Sequence, residues 1–222
     1  MSQFTLNTQH SITFPSSHVT LDGFLYIPEK ACGLVLFVHG SGSSRFSVRN
    51  QYVARVLNDA NLSTLLFDLF TPEEDAIDSR TRQFRFDIEF LALRLLDATQ
   101  WCLKQPQLSS LSIGYFGAST GGGAALVAAA LKPDFVYAVV SRGGRPDLAG
   151  DALAHVGAPT LLIVGGYDEV VIQLNKKAMS QLNCIKKMEI VPGATHLFEE
   201  PGTLDEAADH AKNWFIKYLM KR

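Results

Sequence analysis

Apolar residues follow two patterns along the chain, and the patterns alternate. Short runs rich in Val, Ile and Leu end in Gly, Asp or a Gly-containing turn: GLVLFVHG, STLLFD, LSIGYFG, VYAVVSRGG, PTLLIVGG and KMEIVPG. Such runs are typical of strands buried on both faces of a parallel sheet. Between them lie segments with apolar residues at helical spacing: VRNQYVARVLNDAN, FDIEFLALRLLDATQWCLK, GGAALVAAALK, VVIQLNKKAMSQL and AADHAKNWFIKYLMK. The alternation predicts an α/β fold with a parallel central sheet.

The N-terminal part has a different pattern. The segment HSITFPSSHVTLDGFLYIP alternates apolar and polar residues around turn formers, which predicts two or three antiparallel strands at the start of the sheet. The expected fold is therefore a mostly parallel sheet of about seven or eight strands with helices on both faces. We find no repeat, linker or low-complexity segment, and 222 residues, 47% of them hydrophobic, suit one domain over 1–222.

Charge and composition exclude several classes of protein. The net charge is −2 and there is no basic block, which argues against nucleic-acid binding. The N-terminus lacks a signal-peptide pattern, and no apolar run reaches the roughly 18 residues that a membrane span needs. The three cysteines are scattered, so we expect free thiols, a reducing compartment and a cytoplasmic location.

Candidate chemistry is expected at one edge of the sheet. In open α/β sheets the functional site lies at the carboxyl ends of the strands. In this chain those ends are HGSGSSR, DLFTPEED, GAST, SRGGRP, GGYDE and PGATHLF. The search for functional residues narrows to these loops.

Ser119 lies in the segment GASTG, which matches the pattern G-x-S-x-G. The phosphate-loop and dinucleotide-binding patterns both fail here, because the required lysine and the required glycine spacing are missing. The predicted strand LSIGYFG precedes the serine and the predicted helix GGAALVAAAL follows it, which is the context of a nucleophile elbow. The alternative is a serine that only caps the helix. We expect Ser119 to be a nucleophile.

A serine nucleophile needs a base and a group that orients the base. Of the six histidines, His196 follows the last predicted strand and precedes the last helix, at the expected edge of the sheet. Asp168 lies two residues past a Gly-Gly strand end and is the expected orienting acid, although it can also cap a helix; Glu169 is the second candidate. The order Ser, Asp, His along the chain is that of α/β-hydrolases.

The oxyanion of an acyl-transfer reaction needs backbone donors. The N–H of Thr120 follows from the elbow itself. The second donor is expected in the loop HGSG after the first buried strand, and we assign it to the N–H of Ser41, with that of Gly42 as the alternative.

On these motifs, LVLFVHGSGSSR, GYFGASTGGGAAL, TLLIVGGYDEVV and VPGATHLFEEPGTL, the chain resembles the α/β-hydrolases, and within them the dienelactone-hydrolase-like branch. The resemblance implies the α/β-hydrolase fold and hydrolytic activity. Dienelactone hydrolases proper carry cysteine at the elbow, where this chain has Ser119, so their substrate does not carry over. Serine-bearing relatives also occur fused to phosphoribosyltransferase-like domains, and the sequence shows no such domain.

The expected function is hydrolysis of a small carboxylic ester or lactone through an acyl-enzyme. The alternatives are acyl transfer to another acceptor and a non-catalytic binding module with the same fold. The segment between VYAVVS and the strand at about Pro159 is too short for a lid domain. A serine triad needs no cofactor, and no metal-ligand pattern is present, so we expect neither cofactor nor metal. A monomer or a small homo-oligomer is expected.

Arginines surround the predicted site. Arg142 and Arg145 follow the strand VYAVVS and are candidates for binding a substrate carboxylate. Other arginines lie after the oxyanion loop and in the expected loop after LLFD: Arg45, Arg80, Arg82 and Arg85. The alternative is that rim arginines pair with acids such as Asp147 or Glu199.

Overall fold

The structure is a computed structural model that describes residues 4–220, and its centre is an eight-stranded sheet with the order β1-β2-β4-β3-β5-β6-β7-β8. The strands are β1 (Gln9–Ser16), β2 (Val19–Tyr26), β3 (Gly33–Val38), β4 (Leu62–Phe67), β5 (Ile113–Ala118), β6 (Val136–Arg142), β7 (Thr160–Gly165) and β8 (Lys186–Val191). β2 is antiparallel to both of its neighbours, and the pairs from β4 through β8 are parallel. The predicted α/β-hydrolase fold is confirmed, with two N-terminal strands before the parallel part.

Six α-helices cover the sheet: α1 (Val48–Asp59), α2 (Pro72–Thr81), α3 (Ile88–Leu103), α4 (Thr120–Leu131), α5 (Glu169–Gln181) and α6 (Thr203–Leu219), all within residues 4–220. The core has two layers. Leu36 and Tyr115 pack on the side of α3 and α4. Phe37 and Phe116, their neighbours along β3 and β5, pack on the side of α1 and α6. Because successive strand residues point to opposite faces, each buried strand contributes to both layers, which explains its continuous apolar run.

Helix α2 corrects one expectation. We placed Arg80 in a loop after β4, but Arg80 lies in the last turn of α2, and Arg82 ends that helix in the left-handed region at φ 58°. The helix shows no apolar stripe, and Asp78 is its buried residue, so hydrophobic periodicity could not reveal it. The local signal is a capping box between Thr71 and Glu74.

The connection from β6 to β7 is short, as expected for a fold without a lid domain. It contains one 3-10 segment, Pro146–His155, which is interrupted at Gly150, where φ is 52°. The carboxyl edge of the sheet therefore stays open. Within residues 4–220, no helix combines the length and the apolar character that a bilayer span requires.

Candidate active site

Ser119 forms a sharp turn between β5 and α4. Its backbone has φ 50° and ψ −123°, which is a strained conformation for a residue with a side chain. Glycine is required on both sides. A Cβ on Gly117 would overlap the backbone of Gly121, and a Cβ on Gly121 would overlap the carbonyl oxygen of Val38. The close approach of β3, β5 and α4 holds the serine at the carboxyl edge of the sheet.

The loop after β3 lies directly against the elbow. A Cβ on Gly40 would be 2.9 Å from the Cβ of Ser119, so the glycine brings the backbone of this loop to the serine. The N–H of Ser41 donates a hydrogen bond to Oγ1 of Thr120 at 3.1 Å. The N–H of Thr120 occupies the first position of α4, where a helix offers no acceptor of its own. Of the two expected oxyanion donors, the one on Ser41 thus has a hydroxyl partner in this structure.

His196 and Asp168 are in direct contact. Nδ1 of His196 and Oδ2 of Asp168 are 2.6 Å apart, so the imidazole donates from Nδ1 to the carboxylate and leaves Nε2 as the acceptor. Asp168 occupies the N-cap position of α5, yet its side chain makes no capping hydrogen bond. Its carboxylate is directed to the histidine instead. Glu169, the second candidate acid, is the exposed first residue of α5.

The loop that carries His196 is fixed by its neighbours. A Cβ on Gly165 would be 2.5 Å from the carbonyl oxygen of Thr195, so the end of β7 allows this loop to approach closely. The N–H of Thr195 donates to Oε2 of Glu200 at 3.0 Å, and hydrogen bonds from Thr195 lower the pKa of Glu200. Phe198 is buried with φ 57°. These contacts hold the imidazole at the carboxyl edge of the sheet.

Ser119 and His196 line the same cavity, whose volume is about 220 Å³. Among the hydrogen bonds of residues 4–220, none joins Oγ of Ser119 to His196. Long nucleophile–base contacts are common without a bound substrate. Gly42, the alternative oxyanion donor, does not line this cavity. The sequence analysis missed Arg49 and Asn50 of α1, which also line this cavity.

Arg142 is a buried residue that lines this cavity. It is 95% enclosed, with 5% of its surface exposed, and its Nη2 donates to Oδ1 of Asn50 at 3.1 Å. The guanidinium carbon is 5.5 Å from the centre of the Phe198 ring. Burial, and then the charge of Arg49, lower the pKa of Arg142 to about 10, so the side chain remains a cation at neutral pH.

Three other arginines near the site, Arg45, Arg85 and Arg145, are held by carboxylates. Arg145 donates from Nε and Nη2 to both oxygens of Asp147, each at 2.8 Å, and it does not line the cavity of Ser119. This is the alternative that the sequence analysis left open for Arg145. Other carboxylate-bound arginines are Arg45 with Asp68, and Arg85 with Asp78.

A second cavity of about 550 Å³ lies beside the first, and both share Ser43. It is lined by His39, Arg45, Asp68, Asp75 and Arg85, among others. His39 has both ring nitrogens engaged: Nδ1 faces the carbonyl of Gly40 at 2.9 Å, and Nε2 accepts from the N–H of Leu69 at 3.1 Å. Burial is the largest cause of its lowered pKa.

No group of three or more His, Cys, Asp or Glu side chains suited to a metal ion occurs in the described part of the chain. The three cysteines are free thiols, as predicted, and burial of Cys102 raises its pKa well above the usual range.

Comparison with protein families assigns most of the chain to one family. The model of the dienelactone hydrolase family matches residues 48–222. Two Mycobacterium tuberculosis proteins, from strains CDC 1551 and H37Rv, are each 60% identical over 201 residues and carry the name "Putative phosphoribosyl transferase". The match covers 90% of this chain but 44% of theirs, so the chain spans less than half the length of these relatives.

Solved structures agree on the fold. A dienelactone hydrolase from Anabaena variabilis is 58% identical, with a TM-score of 0.94, covering 96% of this chain and 98% of that one. Est1E from Butyrivibrio proteoclasticus is 16% identical, with a TM-score of 0.78, covering 93% of this chain and 98% of that one. At that low identity the likeness to Est1E concerns the fold alone.

Proposed function

Because the chain belongs to the dienelactone hydrolase family, we propose that it is a serine hydrolase that cleaves a small carboxylic ester or lactone. The observation that carries the proposal is that His196, which is paired with Asp168, lines the same cavity as Ser119. These residues have the types and the location at the sheet edge that the Ser-His-Asp mechanism needs, and their chain order is that of α/β-hydrolases.

In the proposed mechanism Oγ of Ser119 attacks the ester carbonyl while Nε2 of His196 accepts the serine proton. Asp168 holds the imidazole in the required tautomer and stabilises the imidazolium that forms. The tetrahedral intermediate then collapses, the C–O bond to the alcohol breaks, and His196 returns the proton to the leaving alkoxide. A water molecule, activated by the same histidine, releases the acid and regenerates Ser119.

The negative charge of the intermediate would be bound by the backbone N–H groups of Thr120 and Ser41. The first is free at the helix N-terminus, where the helix dipole also favours an anion. The second donates to Oγ1 of Thr120 in this structure. An oxyanion is a stronger acceptor than a hydroxyl, so we expect it to replace this neutral hydrogen bond during the reaction.

Two other functions, acyl transfer and non-catalytic binding, differ from hydrolysis in the acceptor and in the residues that they need. An acyltransferase would use the same serine and histidine, and the open edge without a lid domain favours water as the acceptor. A non-catalytic binding module would not need the strained backbone of Ser119 or the aspartate directed at His196. The transferase name of the mycobacterial proteins describes longer chains, and we do not assign it to this chain.

A fluorophosphonate probe and a panel of p-nitrophenyl esters and lactones test the proposal. We expect one covalent label per chain on Ser119 and turnover of short-chain esters, both lost in Ser119→Ala. Ser43→Ala, at another serine of the cavity wall, is the matched control and should react like the wild type. Labelling that persists in Ser119→Ala, or a wild type that turns over no ester or lactone, would overturn the proposal.

A further inference from the structure

One loop of the structure contacts both the serine and the histidine of the proposed triad. We call the residues from Arg142 to Arg145 the spacer loop. The N–H of Ser119 donates to the carbonyl oxygen of Arg142 at 3.4 Å, and the N–H of Arg145 donates to the carbonyl oxygen of Ser119 at 2.9 Å. In addition, a Cβ on Gly143 would be 3.0 Å from the carbonyl oxygen of His196 and 3.7 Å from Cε1 of its ring. A displacement of the spacer loop would therefore change the separation of Ser119 and His196.

The elbow depends on such contacts. Ser119 has φ 50°, and a strained backbone keeps its conformation only where the surrounding structure holds it. The hydrogen bonds to the spacer loop engage both the N–H and the carbonyl of this residue. The spacer loop is thus part of the structure that keeps the elbow in its strained form.

The spacer loop is also anchored to β7 and α5. The N–H of Gly143 donates to the carbonyl oxygen of Ile163 in β7 at 2.7 Å. The carbonyl oxygen of Gly144 accepts from Nδ2 of Asn175 in α5 at 3.0 Å. The first anchor joins two backbones and is independent of residue type. The second is supplied by a side chain, so it depends on the presence of asparagine at this position of α5.

Asn175 is fully buried in α5. Its Nδ2 donates to the carbonyl oxygens of Gly144 at 3.0 Å and of Val171 at 2.8 Å. Its Oδ1 is enclosed and has no hydrogen-bond partner within residues 4–220. Burying an amide with an unused oxygen costs stability, and an apolar side chain would avoid that cost. The feature that asparagine adds here is the donor group, which holds Gly144 of the spacer loop.

We propose that Asn175 is a positioning residue for the reaction of Ser119 with His196. By holding the carbonyl of Gly144 it keeps the spacer loop in place, and with it the separation between Oγ of Ser119 and Nε2 of His196. The inference rests on the proposed hydrolase function, because that function gives the separation its meaning. Asn175 does not line the cavity and would not contact the substrate.

Helix α5 would then support the triad at two points. Asp168 at its N-cap binds Nδ1 of His196, and Asn175, about two turns further along, holds the spacer loop. The contact of Asp168 acts on the tautomer and the basicity of the imidazole, whereas that of Asn175 acts on its distance from the serine. The two contributions differ in the pH profile, because only a change in basicity shifts it.

The alternative is that Asn175 only stabilises the fold. A stabilising residue affects the fraction of folded protein, whereas a positioning residue affects the turnover of the folded molecules. Misalignment of a nucleophile and its base lowers kcat and leaves KM nearly unchanged when the residues that bind the substrate are intact. Comparison of Asn175→Ala with Ile172→Ala separates the two roles, because Ile172 is a buried apolar residue of the same helix that packs with Val164 and Val171.

The variants are assayed with the p-nitrophenyl ester that the wild type cleaves best, at a temperature at which each is folded by circular dichroism. Asn175→Ala should lower kcat by about 10- to 100-fold, change KM by less than about threefold and leave the pH of half-maximal kcat unchanged. Ile172→Ala should lower the unfolding temperature but change kcat by less than about threefold. A kcat within about threefold of the wild type in folded Asn175→Ala, equal losses of kcat in both variants, or a shifted pH of half-maximal kcat would each overturn the proposal.

Gly143→Ala tests the spacer loop at another residue and replaces Asn175→Ala if that variant does not fold. Gly143 has φ 53°, and the added Cβ would press against the carbonyl oxygen of His196. We expect kcat to fall by about tenfold or more, with KM within about threefold of the wild type. A wild-type kcat in folded Gly143→Ala would show that the separation of Ser119 and His196 does not depend on the spacer loop, and would overturn the proposal.

Hydrogen exchange tests the anchor independently of turnover. The N–H of Arg145, which donates to Ser119, should exchange about tenfold faster or more in Asn175→Ala than in the wild type or in Ile172→Ala, because the spacer loop opens more readily. Accelerated exchange, in a protein whose wild type cleaves no ester or lactone, would refute the hydrolase function and leave the anchor standing. Unchanged exchange of Arg145 in Asn175→Ala would refute the positioning role and leave the hydrolase function to its own test.

Discussion

Two neighbouring cavities at the carboxyl edge of the sheet contain almost the same types of side chain but use them differently. The larger one is lined by a histidine, serines, arginines and aspartates. The smaller one is lined by a histidine, serines and arginines, and an aspartate, Asp168, binds its histidine. In the larger cavity His39 is bonded at both nitrogens and Arg45 is bound by Asp68. In the smaller one His196 is bonded at Nδ1, and Arg142 has no carboxylate partner among residues 4–220. The residue types therefore do not distinguish the two cavities, whereas the hydrogen bonds of the histidines and the ion pairs of the arginines do.

The larger cavity is best understood as a structural region. His39 joins the end of β3 to Leu69 after β4, and its lowered pKa keeps it neutral. Arg45 lies over the rings of Phe24 and Phe46 while it pairs with Asp68. These contacts hold the loops that flank the smaller cavity, so the larger cavity supports the proposed active site.

The largest expected difference concerns the two histidines. His196→Asn should lower kcat by on the order of 10⁴-fold or more, because the proton acceptor is lost, and leave the unfolding temperature nearly unchanged. His39→Asn should lower the unfolding temperature, because a buried residue with two hydrogen bonds is replaced by a smaller one. Ester kinetics and thermal unfolding of both variants measure this. Comparable losses of kcat in both variants, with the folded state intact, would show that His39 is not merely structural.

The two adjacent acids give the next largest difference. Asp168→Asn should reduce kcat by about 10³- to 10⁴-fold, because an amide favours the wrong imidazole tautomer. Glu169→Gln, at the exposed neighbour, should change kcat by less than about threefold, since a surface substitution removes no contact with His196. Steady-state kinetics at several pH values decide between them. A severe loss of kcat in Glu169→Gln, with normal turnover in Asp168→Asn, would show that Glu169 is the acid that orients His196.

Replacing Arg142 and replacing Arg145, the two arginines that flank Gly143 and Gly144, should change the stability of the protein differently. The pKa of Arg142 is lowered to about 10, so its cation is less stable in the folded state than in the unfolded chain at any pH below that value. Arg142→Met removes this cost but also a hydrogen bond to Asn50. We expect the free energy of unfolding at pH 7 to rise by about 1 kcal/mol, and the gain to shrink above pH 10.

Arg145→Met is the control for this measurement. The hydrogen bond with Asp147 raises the pKa of Arg145, and the pair is half-exposed, so its loss should change stability by less than about 1 kcal/mol. Urea unfolding of both variants at pH 7 and above pH 10 measures the difference. A fall of more than 1 kcal/mol in Arg142→Met at pH 7 would mean that the cation stabilises the free protein.

The smallest effect is expected at the oxyanion loop. Thr120→Val removes the hydroxyl that accepts from the N–H of Ser41, so this donor would be free before the oxyanion forms. A neutral hydrogen bond contributes about 0.5–1.5 kcal/mol, and kcat should therefore rise by about two- to tenfold with little change in KM. A fall of more than tenfold would instead indicate that the threonine hydroxyl itself contacts the reacting atoms.

The sequence predicts the parts of the site that depend on local backbone. Ser119 is recognisable because a strained turn between a strand and a helix requires Gly117 and Gly121, and both glycines show in the sequence. His196 and Asp168 follow strand ends, so the topology rule brings them to one edge. The rule predicts that the two residues lie near each other, but it does not predict that they are in contact at 2.6 Å.

The remaining features depend on contacts distant in sequence. Arg142, the last residue of β6, and Arg145, three residues later, are both arginines, and only the partner of Arg145, two residues away, is close along the chain. Asn50, the partner of Arg142, is 92 residues away, and nothing in the local pattern of α1 indicates it. Helix α2 escaped prediction for a different reason, because a helix without an apolar face leaves only its capping box as a signal.

The order of strands in the sheet has a consequence for how activity arises during folding. β3 is inserted between β4 and β5, so the loop of Ser41 meets Ser119 only after strands far apart in the chain have paired in parallel. His196 and Asp168 join from β8 and β7 at the other end of the sheet. Parallel pairing of distant strands is slow, because the loop-closure entropy is lost before the contacts between the strands can compensate for it. Upon dilution from denaturant, helical signal should therefore return well before the first turnover, and esterase activity would report the final step of assembly.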